Sequence, residues 1–357
     1  MSEARASEES VSAQPNGRRG KAGGRGGGRG DRGEQLAVPR AEFRSYYGRP
    51  VIKESLWKEP EVPGYLFLGG LAGASSVLAL SAQARGHHEL ARNAKIAAVG
   101  AIGGSAAALI ADLGRPARFY NMLRVFKPSS PMSVGSWLLA GYGPLAGAAA
   151  ASAVTGWLPR AGAAATTAAA ALGSGIATYT GALLSDTAVP AWHDAHREMP
   201  YLFAGSAAAA AGGLGMLTAP AGQTGQAARF AALGATAEVT AKHLISHRLG
   251  QVAEPYHAGR PGKLLQAAEV LTLTGLAGAV AGLAGRSRSI SKPVTRAAGL
   301  ALVAASALTR FGVFEAGQAS ARDPGYTVGP QRERLQAQAR PPEAQARPPE
   351  AQASADV

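Results

Sequence analysis

The chain has 357 residues, a formal net charge of +13, no cysteine, and 46% apolar residues. Its charge is unevenly spread: residues 63–315 carry 19 Lys/Arg and 9 Asp/Glu, against 12 and 9 in residues 1–62 and 5 and 5 in residues 316–357. So sparse a middle argues against a soluble multi-domain enzyme, and the missing thiols exclude disulfides, thiolate-held iron–sulfur clusters, Cys-ligated zinc, covalently attached haem and thiol nucleophiles within this chain.

In chain order, residues 1–45 come first. They are Gly, Ser, Arg and Glu with few large apolar side chains, so they bury too little surface to offset the entropy of ordering and are expected to be a disordered basic tail. The RRGKAGGRGGGRGDR tract at 18–32 resembles RNA-binding RGG segments. Most basic residues of the middle segment instead flank apolar runs, where positive charge orients a membrane protein, so no nucleic-acid partner is expected. No apolar stretch precedes Pro63, and the first span itself is expected to direct insertion.

Residues 46–315 read as an all-α integral membrane domain. Eight apolar runs of spanning length occur at 63–81, 94–113, 133–156, 161–185, 201–217, 227–246, 264–284 and 294–314. The sixth is the weakest, because it holds Arg229, Glu238, Lys242 and His243. The dense Ala and Gly of these runs permit close helix approach where lipid gives no hydrophobic drive. Arg44, Arg49, Lys53 and Lys58 beside the first span place both termini in the cytoplasm. Residues 316–357 are expected to be a second disordered tail, with AQARPPE at 337–343 and 344–350, whose paired prolines favour an extended chain.

The few acids of the middle segment cluster toward one face of this eight-span arrangement. Asp112, Asp186, Glu198, Glu238, Glu269 and Glu315 all fall toward the cytoplasmic helix ends, which predicts a polar pocket there. Two loops carry the most distinctive words. DLGRPARFYNMLRVFKPSSPMSVGSW (112–137) sets an acid at a helix end, Gly114 to stop the helix, Arg115 and Arg118 to pair with the acid, and aromatics suited to the headgroup layer. YTGALLSDTAVPAWHDAHREMPYLFAGSA (179–207) puts Asp186, Trp192, His193 and Glu198 between two spans, and a His beside an apolar cleft accepts protons near neutral pH.

Those two loops, with EVPGYLFLGGLAGAS at 61–75, resemble the NrfD-like, or polysulfide reductase membrane-anchor, family. The resemblance implies an eight-helix anchor in the cell membrane, arranged as two four-helix bundles. It implies electron exchange between menaquinone or ubiquinone and a four-cluster ferredoxin-like iron–sulfur subunit, itself wired to a molybdopterin catalytic subunit, with no cofactor of the chain's own. Carried onto this sequence, the quinone pocket would lie in the first bundle and involve Tyr65, Asp112, Arg115, Asp186 and His193. Asp112 and His193 are then the expected proton-exchanging groups, Arg115 and Asp186 position them, and Tyr65 and Trp192 contact the ring.

The seven histidines lie in loops or near predicted helix ends, so a haem held between two buried histidines is not expected. Glu238, Lys242 and Glu269 form a candidate proton path in the second bundle, although Glu238 and Lys242, at i and i+4, can simply pair. Two other functions fit parts of the pattern: a secondary transporter or proton channel, and a passive membrane anchor.

Overall fold

A computed structural model describes residues 51–52, 57–115, 117–220, 222–284 and 288–339. The Gly/Arg-rich tail and the prolines of the AQARPPE repeats lie outside these residues. Among the described residues every regular element is a helix, in the order α1 (Glu61–Ala84), α2 (His88–Asp112), α3 (Arg118–Met122), α4 (Pro131–Thr155), α5 (Pro159–Ser185), α6 (Pro190–Asp194), α7 (Met199–Thr218), α8 (Thr224–Leu249), a 3-10 turn (Gly250–Tyr256), α9 (Gly259–Ala284), α10 (Arg288–Arg322) and α11 (Gly325–Ala339).

Six helical stretches are long and apolar enough to cross a membrane: Glu61–Ala84, His88–Asp112, Pro131–Thr155, Met199–Thr218, Gly259–Ala284 and Lys292–Arg322. Two further long helices, α5 and α8, fall short of that apolarity. The first is rich in Ala, Gly and Thr, and the second carries Arg229, Glu238, Lys242 and Arg248.

Helix packing follows the small residues. In one group α1 packs on α2 and α5, while α4 packs on α5 and α2; in the other, α7 packs on α8 and α10, while α9 packs on α10 and α8. The seam runs through α1 and α5 against α7, and α1 against α10. At the α1–α5 crossing, a methyl on Gly73 would come within 2.2 Å of the Gly173 carbonyl oxygen, so the two backbones touch. Gly213 and Gly299 do the same where α7 meets α10. With lipid tails outside, such contact is the main source of helix affinity.

The two ends of the molecule are built differently. At one end, Val62, Leu66, Trp192, Met199, Ile245 and Phe314 form an apolar cluster joining α1, α6, α7, α8 and α10. At the other, the α1–α2 turn is tied to the α7–α8 turn: Leu90 N–H donates to Gln223 at 2.8 Å, and Asn93 donates to the Thr218 carbonyl at 2.9 Å.

Three differences from the sequence reading have physical causes. First, α2 starts at His88, six residues before the expected 94, because its polar first turns are held by the α7–α8 turn. Second, the chain stays helical beyond 315, where a disordered tail was expected. The last turns of α10 bury Ala316, Ser320 and Ala321, and Ser320 Oγ accepts the Ala191 N–H at 3.3 Å. Third, Glu238 and Lys242 do not pair with each other. Lys242 Nζ reaches across to Glu269 of α9 at 2.5 Å and to the Leu265 carbonyl at 2.9 Å, whereas Glu238 turns toward α10. As expected, α2 ends at Asp112, and Gly114 takes the positive φ of 68° that a following turn needs.

Candidate functional site: a cleft between α1, α2, α4 and α5

The first helix group encloses a cavity of about 90 Å³. Its walls are mainly apolar, from Leu109, Leu139, Ile176 and Leu183, with Met122 of the short α3 and Met132 at the start of α4. Into this apolar space come three polar side chains that matter chemically: Tyr65 from α1, Asp112 from the end of α2, and Tyr179 from α5.

Tyr65 and Tyr179 are placed by contacts between helices, and Asp112 by the end of α2. Ser105 Oγ donates to the Tyr65 carbonyl at 3.0 Å, which fixes α1 against α2 at the cavity wall. Tyr179 Oη donates to the Pro131 carbonyl at 2.6 Å and so ties α5 to the first turn of α4. That hydroxyl lies across Gly135, where a Cβ would fall only 2.1 Å from it. The glycine in the SVGSW word is therefore the residue that lets the tyrosine ring cross α4. Asp112 is half-buried, and among the described residues its carboxylate has neither a hydrogen bond nor an ion pair. Arg115 is exposed, and Arg118 Nη1 bonds the Leu113 carbonyl at 3.3 Å, so neither arginine makes the expected pair with Asp112. Tyr65 lies within electrostatic reach of both Asp112 and Tyr179. The three groups thus form one cluster of potential proton donors and acceptors, with the Asp112 carboxylate free to meet a ligand.

Trp57 also lines the cavity and connects it to the second loop. Its ring stacks on Trp192, with centroids 5.7 Å apart, and Trp192 lies at the same distance from Phe314. Trp192 is fully buried, donates its Nε1–H to the Val313 carbonyl at 2.8 Å, and lies so close over Gly317 that a Cβ there would fall 1.8 Å from the ring. It supports the cavity from behind.

The structure brings together Tyr65 and Asp112 of the expected site residues. His193 and Asp186 are exposed on the α5–α7 connection, and neither they nor Arg115 and Trp192 line the cavity. Tyr179 and Trp57 are lining residues that sequence reasoning gave no role. The Tyr179–Gly135 contact is tertiary and leaves no local signal.

A second polar cluster is buried between α7, α8 and α10. Glu238 is 4% exposed and accepts from Thr309 Oγ1 at 2.7 Å. Arg310 is fully buried, donates Nη2–H to the Phe203 carbonyl at 2.7 Å, and sits 3.9 Å over the Phe203 ring. Among the described residues the Glu238 Oε2, Arg310 Nε and Arg310 Nη1 atoms have no hydrogen-bond partner. Arg310 is the only charge between Arg296 and Glu315, and a cation so placed in an apolar run is itself a signal that sequence reasoning did not use. A Cβ on Gly70 of α1 would lie 3.4 Å from its Nη2, next to Gly69, which lines the cavity.

A family model described as polysulphide reductase, NrfD, matches residues 53–233, just over half of the chain. The chain belongs to the NrfD family. No curated protein sequence matches it. Family membership and the six apolar helices together make it a multi-pass membrane protein, a subunit of the polysulphide-reductase-like type. The region characteristic of NrfD runs from before Trp57 into α8, so it contains the whole cavity, whereas Glu238, Glu269 and Arg310 lie beyond it.

Proposed function

We propose that this NrfD protein is the quinone-reactive membrane subunit of a molybdopterin/iron–sulfur oxidoreductase complex in the cell membrane. Its eight long helices cross the bilayer as two four-helix bundles with both termini cytoplasmic. Electrons pass between menaquinone or ubiquinone in the cavity and a four-cluster ferredoxin-like subunit docked over the ends of α1, α2 and α5. The chain contributes no redox centre of its own.

The observation that carries this reading is the combination of apolar walls with an unpaired carboxylate and two phenols. A quinone ring is flat and apolar with two carbonyl oxygens at opposite edges. Reducing it adds two electrons and two protons, so acids must reach those oxygens at about 2.6–3.2 Å, while the electrons come from the iron–sulfur partner. Asp112 is the proton-exchanging group in the cavity, and Tyr65 offers its hydroxyl to a ring oxygen, while Tyr179, whose O–H is given to the Pro131 carbonyl, contributes its ring to the wall. Trp57 supplies an aromatic face. His193 and Asp186, exposed on the neighbouring connection, act as relay groups between solvent and Asp112 rather than at the ring.

The test is Asp112→Asn in the purified complex, assayed two ways. Quinone-linked turnover is expected to fall about 10²–10⁴-fold, the usual contribution of a positioned proton-transfer group. Turnover with a soluble dye that exchanges electrons with the iron–sulfur subunit should not change. Unchanged quinone-linked turnover would instead mark a passive anchor. Proton flux through the isolated chain, without any redox partner, would mark a channel.

A further inference from the structure

The far end of the second helix group holds a larger cavity, of about 750 Å³, between the end of α7, the start of α8, the end of α9 and the start of α10. Arg229, Lys292 and Arg296 line it, and no Asp or Glu does. Among the described residues none of the three has a carboxylate within 4.0 Å, and residues 285–291, which follow α9, contain no acid. Three unneutralised cations around one hollow specify an anion. We propose that this cavity binds the phosphate headgroup of an anionic phospholipid.

The surroundings favour a lipid over free phosphate. Each arginine has a large apolar residue one helical turn deeper on the same face: Leu233 follows Arg229 and Leu300 follows Arg296, both at i+4. Leu233 is 73% exposed and Leu300 62% exposed. Exposed leucines beneath paired arginines match an amphiphile, with acyl chains along the helices and the phosphate at their ends. The lining of the cavity is itself partly apolar, through Met216 and Leu283. The helices around it are closely packed: a Cβ on Gly282 of α9 would fall 2.7 Å from Thr295 Oγ1 of α10. The cations are therefore carried on a fixed frame rather than on a loop. This inference does not depend on the quinone reading.

The experiment uses the full-length protein in its native complex, delipidated and reconstituted in nanodiscs of phosphatidylcholine alone or with one part in five phosphatidylglycerol. Lipid retained after extraction is counted by native mass spectrometry, and the melting temperature is recorded. With three cations near the headgroup layer, the anionic lipid should be retained about a hundredfold over phosphatidylcholine. In R229Q/K292Q/R296Q this preference should fall to a few-fold. The single variant R229Q, altered at an exposed position, should give an intermediate value if the triple variant is poorly expressed. Equal retention of the two lipids by the unaltered protein would overturn the proposal. So would millimolar inorganic phosphate raising the melting temperature as much as phosphatidylglycerol, because the hollow would then be a free-anion site.

Discussion

Trp57 and Trp192 stack with ring centroids 5.7 Å apart and planes inclined at 29°. One lines the candidate quinone cavity and the other is sealed in the core behind it, so this pair joins the cavity to the α6 connection. The two residues should respond differently to truncation. Trp192→Ala removes a fully buried ring and its bond to Val313, and is expected to cost about 3–5 kcal/mol, seen as a lower melting temperature of the detergent-solubilised complex. Trp57→Ala should mainly raise the KM for quinol, while Trp57→Phe, which keeps an aromatic face, should restore most of it.

Gly135 and Tyr179 form a second testable pair. Gly135→Ala sets a methyl where the Tyr179 hydroxyl now lies, and overpacking of this kind costs about 1–3 kcal/mol. Tyr179→Phe loses the bond to the Pro131 carbonyl, a loss of about 1 kcal/mol. Because the two side chains compete for one space, Gly135→Ala combined with Tyr179→Ala should be less harmful than the sum of the single changes. A double-mutant cycle on melting temperature and on quinone-linked turnover checks this.

The Glu238–Arg310 cluster should behave as a compensated pair of buried charges. Arg310→Met leaves Glu238 buried with less opposing charge, and is expected to cost about 3–5 kcal/mol. Glu238→Gln in the same chain should recover much of that loss, and thermal unfolding of the two variants measures the recovery. Glu269→Gln should cost no more than about 1 kcal/mol, since its partner Lys242 keeps the Leu265 carbonyl and both side chains are partly exposed.

Much of this architecture was readable from the chain, and the exceptions share a cause. The DLGRP word announces a helix that stops at Asp112, because a glycine in the left-handed region is a local requirement. Apolar runs locate the long helices, since hydropathy is summed over many residues. Helix ends are harder. The polar first turns of α2 and the last turns of α10 are held by contacts with α7, α8 and α6, and no local pattern records those contacts. Site membership shows the same division. Tyr65 and Asp112, two residues the sequence singles out, line one cavity, while Tyr179 and Trp57 enter it through packing of α4 and through a stack with Trp192. Arg310 was legible as the one charge between Arg296 and Glu315 in an apolar run, but its electrostatic counterpart Glu238 was not, because the i+4 neighbour Lys242 offered a nearer match that α9 takes instead.

The most direct test of the quinone reading is photoaffinity labelling of the intact complex with an azido-quinone, followed by peptide mapping. The account predicts label on α1, α2, α4 or α5 within the cavity-lining segments around Tyr65, Asp112, Gly135 and Tyr179, reduced by excess unlabelled quinone and by Asp112→Asn. Label confined to α7–α10, or label at the cavity that excess quinone does not displace, would contradict it.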